Sequence, residues 1–139
     1  MLPGLTVRDV MHSDAVSVPA DTPIREVMRL MNERRIGCVM VYSAMLKLVG
    51  IFSERDLLRR VVTAVPGWRD YPVSDWMTAD PYSISPDVGW DEAVGQLGKL
   101  RVRHLPVIEH NHIIGLVSAR GLMNRRSEHL DIVIDTTTQ

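Results

Sequence analysis

The chain has 139 residues, of which 45% are hydrophobic and 24% are charged, and these proportions are those of an ordinary globular protein. Sixteen basic residues against seventeen acidic ones give a net charge of −1, so the charge balance does not suggest nucleic-acid or anionic-membrane binding. A single cysteine excludes an intrachain disulfide, and with no signal peptide or apolar run of about 20 residues we expect a cytoplasmic protein.

The first half of the chain predicts a strand, a helix, two further strands and a second helix. Thr22 is the expected N-cap of the first helix, and Pro23 is its expected first residue. Apolar residues recur at helical spacing and predict one buried face, formed by Ile24, Val27, Met28 and Met31. The predicted strands are short and apolar, at 16–18, 38–42 and 48–52, and the second helix opens at Ser53.

The second half of the chain repeats the first half in the same order. Residues 7–11 (VRDVM) match residues 73–77 (VSDWM). After one residue is lost in a turn, residues 50–57 (GIFSERDL) match residues 115–122 (GLVSARGL). Because the matches stay in register with a single gap, we infer two copies of one repeat.

The duplication sets the predicted domain boundaries. Each copy is too short to hold a good core alone, so we expect the two copies to pack on each other. In the second copy, Gly95 and Gly98 lie in a helical pattern, where we expect them to permit close packing. The predicted boundaries are 6–62 for repeat 1, 63–71 for a linker, 72–127 for repeat 2 and 128–139 for a C-terminal tail.

The repeated order and the residues at its joints resemble the CBS domain, which usually occurs as a tandem pair called a Bateman module. The resemblance covers nearly the whole chain, from residue 6 to about residue 127. It is carried by the two matched openings, by 101–108 (RVRHLPVI) and, most strongly, by 50–58 (GIFSERDLL).

The resemblance implies an α/β (α+β) fold of two pseudo-symmetric β-α-β-β-α repeats packed through their sheets. It also implies a cytoplasmic, non-catalytic regulatory module that binds an adenosine-containing ligand in the cleft between the repeats. Such modules commonly form homodimers, and many are attached to enzymes or channels. We therefore expect AMP, ADP or ATP as a regulatory ligand, with no catalytic cofactor, no metal, no nucleic acid and no membrane insertion.

Ser53, Arg55 and Asp56 lie where an apolar strand meets the start of a helix. In α/β folds ligands favour the carboxyl ends of strands, and a helix N-terminus offers free N–H groups to phosphate. The Asp56 carboxylate could accept hydrogen bonds from a ribose diol, while Ser53 and Arg55 could reach phosphate oxygens. The same Ser-x-x-Asp spacing is also a plain helix cap, and spacing alone leaves both interpretations open.

The resemblance further implies that Asp56 acts together with the segment before the first strand of the other copy. The backbone of this segment would hold the base edge, and Thr78 is its best side-chain candidate. Tyr82 fits a core position equally well. The residues carried over in this way are Thr78, Asp80, Pro81, Tyr82 and Ser83.

The mirror position in the second copy departs from this pattern, because Gly121 stands where the first copy has Asp56. The carboxylate that would accept hydrogen bonds from the ribose diol is therefore missing. We expect a weaker second site that attracts mainly phosphate. The residues predicted to form it are Ser13, Val16, Ser17, His104, Ser118 and Arg120.

Other chemistry-bearing residues predict no catalytic or metal site. His110 and His112 lie at a turn without further ligands at useful spacing, and Cys38 lies within an apolar strand as a buried structural residue would. No nucleophile and base are paired in the sequence, which argues against an enzyme.

Two alternatives to a nucleotide sensor remain open. S-adenosylmethionine carries a ribose diol that would suit Asp56 equally well. The chain could also be a constitutive dimerisation module with an unused cleft. Its interface would be formed by the apolar residues in excess of one helix face. These residues also lead us to expect a homodimer: Leu30, Leu57, Leu58, Val61 and Val62.

Overall fold

The computed structural model describes residues 4–62 and 66–123, so the predicted tail at 128–139 and part of the predicted linker lie outside the described residues. The chain divides into two compact units. The first unit is Ala15–Pro81, and the second unit combines Met1–Asp14 with Tyr82–Gln139. Each unit therefore takes its body from one repeat and a short leading segment from the other.

The secondary structure follows the predicted order in the first copy, and in the second copy the first strand is reduced to a bridge at Ile84. Its helices are α1 (Val7–Val10), α2 (Ile24–Arg34), α3 (Glu54–Asp56), α4 (Trp90–Leu100) and α5, which is described over 119–123. A π-helical turn (Leu57–Val61) extends α3, and two 3₁₀ turns lie at Trp68–Asp70 and Val73–Asp75. The strands are β1 (Ser17–Pro19), β2 (Cys38–Tyr42), β3 (Leu48–Ser53), β4 (Thr78–Ala79), β5 (His104–Glu109) and β6 (His112–Ser118).

The first unit contains a four-stranded sheet in the order β1-β2-β3-β4. β1 runs parallel to β2, and the other neighbours are antiparallel. β2 is an apolar run with both faces covered, as the sequence predicted for this strand. The α2 face confirms the predicted helical spacing, since Ile24, Val27 and Met31 are buried.

The second unit repeats this topology with shorter edges. β5 and β6 form an antiparallel hairpin. Ile84 forms a parallel bridge to Val107, and His12 forms an antiparallel bridge to Leu116. These two bridges occupy the places that β1 and β4 occupy in the first unit, which confirms the duplicated α/β fold.

The leading segments dock through the same hydrogen bonds in both units. In the first unit, Ile24 N donates to Tyr71 O at 2.9 Å and Val73 N donates to Thr22 O at 2.7 Å. In the second unit, the corresponding bonds run from Trp90 N to Leu5 O at 2.9 Å and from Val7 N to Val88 O at 2.8 Å. Each unit therefore depends on the leading segment of the other repeat, because this segment hydrogen-bonds to backbone N–H groups that have no partner within the helix at its start.

One glycine in each body makes room for the incoming segment. A Cβ on Gly50 would overlap the sulfur of Met77, and a Cβ on Gly115 would lie 2.8 Å from Met11 Sδ and 3.0 Å from His12 O. Gly50 and Gly115 are matched positions of the repeat, and so are Met77 and Met11. The glycine that opens each predicted strand-to-helix motif is therefore explained by packing.

The predicted N-cap of α2 is wrong by one residue. Pro23 is the N-cap, with extended backbone, and its side chain offers no capping hydrogen bond. Thr22 instead lies in a turn, where its N donates to Pro19 O and its carbonyl accepts from Val73 N. The Tyr71 carbonyl takes over the role expected of the threonine hydroxyl.

The expectation that Gly95 and Gly98 permit close packing is also wrong. Both residues are exposed on α4, and a Cβ built on either would meet no atom within 4 Å. The buried face of α4 consists of Trp90, Ala93 and Leu97.

Each unit encloses its own hydrophobic cluster. The first cluster is Val18, Ile24, Val27, Met31, Val39, Val41, Phe52, Val61 and Val73. The second is Val7, Val10, Ile84, Trp90, Ala93, Leu97, Leu105, Val107, Val117 and Leu122. The longest described helices, α2 and α4, have 11 residues each, and no helix in the described part of the chain could cross a membrane.

Candidate functional site

The β3–α3 junction of the first unit holds Asp56 in a reciprocal cap. Ser53 N and Ser53 Oγ donate to Asp56 Oδ2 at 3.0 and 3.1 Å, and Asp56 N donates to Ser53 Oγ at 3.2 Å. The plain capping role of the Ser-x-x-Asp pattern is therefore real. It uses only one of the two carboxylate oxygens.

The other oxygen, Asp56 Oδ1, has weaker partners. Thr78 Oγ1 lies 3.5 Å away, at the limit of a hydrogen bond, and Arg60 Nη1 lies 3.8 Å away. The Asp56 side chain is 15% exposed, so most of it is held in place and part of it remains open to solvent. A hydroxyl group that donates to Oδ1 would replace a poor contact with a good one.

Thr78 reaches this carboxylate because the leading segment of repeat 2 pairs with β3. Ile51 pairs with Thr78 in register, and Asp80 N donates to Val49 O at 3.0 Å. Asp80 has a left-handed backbone (φ 49°) and ends the pairing. One unit thus joins residues of both sequence repeats around Asp56.

The remaining predicted site residues are placed as follows. Arg55 is exposed, and no hydrogen bond or ion pair of its side chain occurs within the described ranges. Pro81 is half-buried and closes the first unit. Tyr82 and Ser83 belong to the second unit, where Tyr82 is 60% exposed and so is not a core residue.

Cys38 lies on β2 and pairs with Ser53 in register. Burial, and then the negative charge of Asp56, raise the pKa of its thiol to about 12. The thiol is therefore protonated at neutral pH and is a poor nucleophile, as a structural cysteine would be.

The mirror position in the second unit is built differently. Ser118 Oγ accepts from Gly121 N at 2.9 Å, so half of the cap is kept. A Cβ on Gly121 would lie 2.7 Å from His12 Nε2. The imidazole of His12 therefore occupies the space that an aspartate side chain would enter.

Sequence reasoning missed His12, although the duplication contained the signal. His12 follows Met11 as Thr78 follows Met77, so His12 is the repeat counterpart of Thr78. Of the predicted second-site residues, Ser13, His104, Ser118 and Arg120 lie in the second unit, whereas Val16 and Ser17 lie in the first.

The predicted turn histidines do not form a cluster. His110 and His112 are exposed at the β5–β6 hairpin, where His110 and Asn111 adopt left-handed backbone angles. Over residues 4–62 and 66–123, no group of three or more His, Cys, Asp or Glu side chains could hold a metal ion.

Comparison with known proteins decides the family. The family model for the CBS domain matches twice, at 7–63 and at 73–128. The chain is a tandem pair of CBS domains. Both matched ranges begin at the opening of a repeat, in the leading segment that docks on the other body.

The relatives of this CBS pair include longer proteins. The CBS domain-containing protein CBSCBSPB1 of Arabidopsis thaliana is 31% identical over 112 residues, which are 81% of this chain and 21% of that protein. The CBS pair thus spans about a fifth of the length of this curated relative.

Solved structures share the fold over nearly the whole chain. A CBS-domain containing protein from Agrobacterium tumefaciens matches with a TM-score of 0.80 at 27% identity, covering 91% of this chain and 98% of that one. CBSX2, solved in complex with AMP, matches with a TM-score of 0.75 at 22% identity, covering 90% of this chain and 98% of that one. The second likeness establishes the fold.

Proposed function

We propose that this CBS pair is a regulatory module that binds an adenosine-containing ligand beside Asp56 and catalyses no reaction. The observation that carries the proposal is the environment of Asp56 Oδ1, whose best partner is the 3.5 Å contact with Thr78 Oγ1. This oxygen faces residues from both repeats, and a cap alone would not require that arrangement.

A ribose fits this environment through its two adjacent hydroxyls. One hydroxyl would donate to Oδ1, and the other would donate to the free lone pair of Oδ1 or share Oδ2 with Ser53. Arg55, exposed and without a carboxylate partner in the described ranges, would bind a phosphate attached to the same sugar. The backbone at Asp80 and Pro81, which end the first unit, would meet the base.

AMP is the first ligand to test, because CBSX2 was solved in complex with it. ADP and ATP present the same sugar and base, and S-adenosylmethionine presents the same diol without phosphate. The proposal concerns the shared adenosine, and a comparison of these four ligands ranks them.

Ligand binding would regulate through the docked segment. Asp56 belongs to repeat 1 and Thr78 to repeat 2, so a ligand held by both would strengthen the pairing of β4 with β3. A ligand at 100 times its dissociation constant stabilises the bound state by about 2.7 kcal/mol. A partner protein that senses the leading segment would detect this change.

The ribose contact can be tested from the ligand side. Titration calorimetry should show that AMP binds the wild-type chain and that 2′,3′-dideoxy-AMP binds about a hundredfold more weakly. The reason is that each hydrogen bond to a charged group contributes about 1.5–3 kcal/mol. Equal affinity for the two ligands would contradict the ribose contact, and no binding of either would favour a dimerisation module.

The protein side supplies a matched pair of variants. Asp56→Ala should reduce AMP affinity about a hundredfold and lower the free energy of unfolding by about 1 kcal/mol, the usual cost of a lost cap. Asp9→Ala removes the same carboxylate contacts at α1, where Thr6 N and Oγ1 donate to Asp9 Oδ2 at 2.9 and 3.1 Å, although Asp9 N donates to the Thr6 carbonyl and not to its hydroxyl. It should cost similar stability and leave AMP affinity unchanged, and an equal loss of affinity in both variants would reduce Asp56 to a cap.

A further inference from the structure

The two leading segments dock through the same kind of backbone hydrogen bond. In the second unit, Val7 N and Arg8 N donate to carbonyls of the body at 2.8 and 3.0 Å. In the first unit, the matched Val73 N and Ser74 N donate in the same way at 2.7 and 3.1 Å. Since the backbone contributes alike in both units, the side chains decide how firmly each segment is held.

The leading segment of repeat 1 has polar side-chain contacts that its counterpart in repeat 2 lacks. Thr6 N and Oγ1 donate to Asp9 Oδ2 at 2.9 and 3.1 Å, and Arg8 forms ion pairs with two carboxylates of the second unit. The positions matched to Thr6 and Arg8 hold Pro72 and Ser74. Across residues 4–62 and 66–123, neither of these two side chains forms a hydrogen bond or an ion pair.

Trp76 weakens the docking of the repeat 2 segment further. It stands where repeat 1 has the buried Val10, and its half-buried side chain packs against the first core cluster. Its Nε1 atom is buried, and no acceptor for it lies among the residues that the structure describes. A buried donor without an acceptor loses the hydrogen bond that water would give it, so docking this indole has a cost. By contrast, Trp90 Nε1 donates to Leu122 O at 3.1 Å.

The less firmly held segment is also the one that carries the candidate ligand contact, between Thr78 Oγ1 and Asp56 Oδ1. We propose that residues 72–80 form a strap that opens in the ligand-free protein and that a ligand beside Asp56 holds closed. The closing step rests on the proposed function, whereas the opening does not. Opening gives the Trp76 N–H access to water, and a ligand held by both Asp56 and Thr78 favours the closed strap.

Hydrogen exchange of the full chain, followed by NMR, measures the opening without ligand, because a bonded amide exchanges only when its hydrogen bond breaks. Rates are first corrected for the intrinsic rate of each residue type. The Val73 and Ser74 amides should then exchange at least about tenfold faster than the β2 amides of the same unit. The matched Val7 and Arg8 amides should exchange nearly as slowly as those of β5. Equal protection of the strap and β2 would overturn the proposal.

The contribution of the indole is tested by Trp76→Phe, which removes the N–H and keeps an aromatic ring. This variant should slow exchange of the Val73 and Ser74 amides by about tenfold, because the closed strap no longer buries an unpartnered donor. Trp90→Phe is the matched control, since it removes an N–H that has an acceptor, and it should slow no exchange. Slower exchange in both variants would reject the role of the unpartnered donor.

A second variant strengthens the strap without changing the core. Pro72→Thr places a threonine three residues before Asp75, as Thr6 precedes Asp9. The new N–H and hydroxyl can donate to the Asp75 carboxylate, so exchange of the Val73 amide should again slow by about tenfold. Exchange that neither Pro72→Thr nor Trp76→Phe slows would overturn the proposal.

AMP then tests the closing step in the wild-type chain. At 100 times its dissociation constant, AMP should slow exchange of the Val73 and Ser74 amides by about a hundredfold, because it binds only the closed strap. It should leave the Val7 and Arg8 amides unchanged. AMP that binds without this selective protection would overturn the strap and leave the proposed function standing. Fast exchange of the strap in a chain that binds no adenosine-containing ligand would support the opening and overturn the proposed function.

Discussion

The matched positions Asp56 and Gly121 show how one residue changes the chemistry of a repeated motif. Both follow a serine that caps the helix start, since Asp56 N and Gly121 N donate to Ser53 Oγ and Ser118 Oγ respectively. The aspartate adds an acceptor, while the glycine leaves room that the ring of His12 fills. The difference between the two positions therefore involves a pair of residues.

This pairing predicts the outcome of a transplant. Gly121→Asp alone should bind no second nucleotide, because its Cβ would crowd His12 Nε2. The double variant His12→Thr/Gly121→Asp recreates the Asp56–Thr78 pair, and AMP stoichiometry by calorimetry should rise from about one to about two per chain. The single His12→Thr variant is the control and should keep one site. If the double variant also keeps one site, further residues distinguish the two positions.

The elements show which structural features the sequence determines locally. Strands β1, β2 and β3 and the α2 face were predicted correctly, because a short apolar run and an apolar period of 3.6 both reflect burial directly, whereas β4 was not predicted. The N-cap at Pro23 was missed because the deciding hydrogen bond, from Ile24 N to Tyr71 O, joins residues 47 positions apart. Gly95 and Gly98 were misassigned because a glycine in a helix looks the same in sequence whether it meets a neighbour or solvent.

The site was predictable to a similar extent. Ser53 and Asp56 were identified from their spacing, and Thr78 from the family resemblance, and these three side chains lie together. That Oδ2 is occupied by the cap and Oδ1 is not could not be read from the sequence, since it depends on a rotamer. His12 was missed because its counterpart Thr78 was considered only in its own repeat, although the duplication places His12 at the matched position.

The exposed glycines of α4 make a prediction about stability. Gly95→Ala and Gly98→Ala should each raise the free energy of unfolding by about 0.5–1 kcal/mol, because alanine loses less backbone entropy and meets open space. Denaturant unfolding measures the change. Gly115→Ala is the matched contrast and should destabilise the protein, because its Cβ would press on Met11 Sδ and on His12 O. Destabilisation by Gly95→Ala would show that the α4 surface is covered.

At the scale of the whole molecule, most of the apolar residues in excess of one helix face are buried in the first core cluster or pack against it. Val61 is buried in the first core cluster, and Leu30 and Leu57 pack against it. Leu58 remains 68% exposed and Val62 45% exposed. These two residues follow α3 and lie four positions apart along the chain, and they are the part of the predicted homodimer surface that burial does not already explain.

We expect the chain to be a homodimer by light scattering at micromolar concentration, and Leu58→Lys to shift it towards monomer without loss of folding stability. The reason is that a charge at an exposed apolar position costs little in the monomer and much in an apolar interface. Leu46→Lys is the control, because Leu46 is similarly exposed (65%) at the β2–β3 turn. A wild-type chain that is monomeric at this concentration, or a Leu46→Lys variant that dissociates equally, would contradict this assignment.

The exchange of leading segments also has a consequence for a chain with only one repeat. In such a chain, the first N–H of the main helix would lack the carbonyl acceptor that Tyr71 or Leu5 supplies here. The space beside Gly50 or Gly115 would also lack the methionine side chain that fills it. Two half-length chains can repair both defects by trading their opening residues, which is a domain swap. Fusing two such chains makes this exchange of segments intramolecular, so it no longer requires a dimer. The two halves can then differ in sequence, as they do where one half has Asp56 and Thr78 and the other has Gly121 and His12.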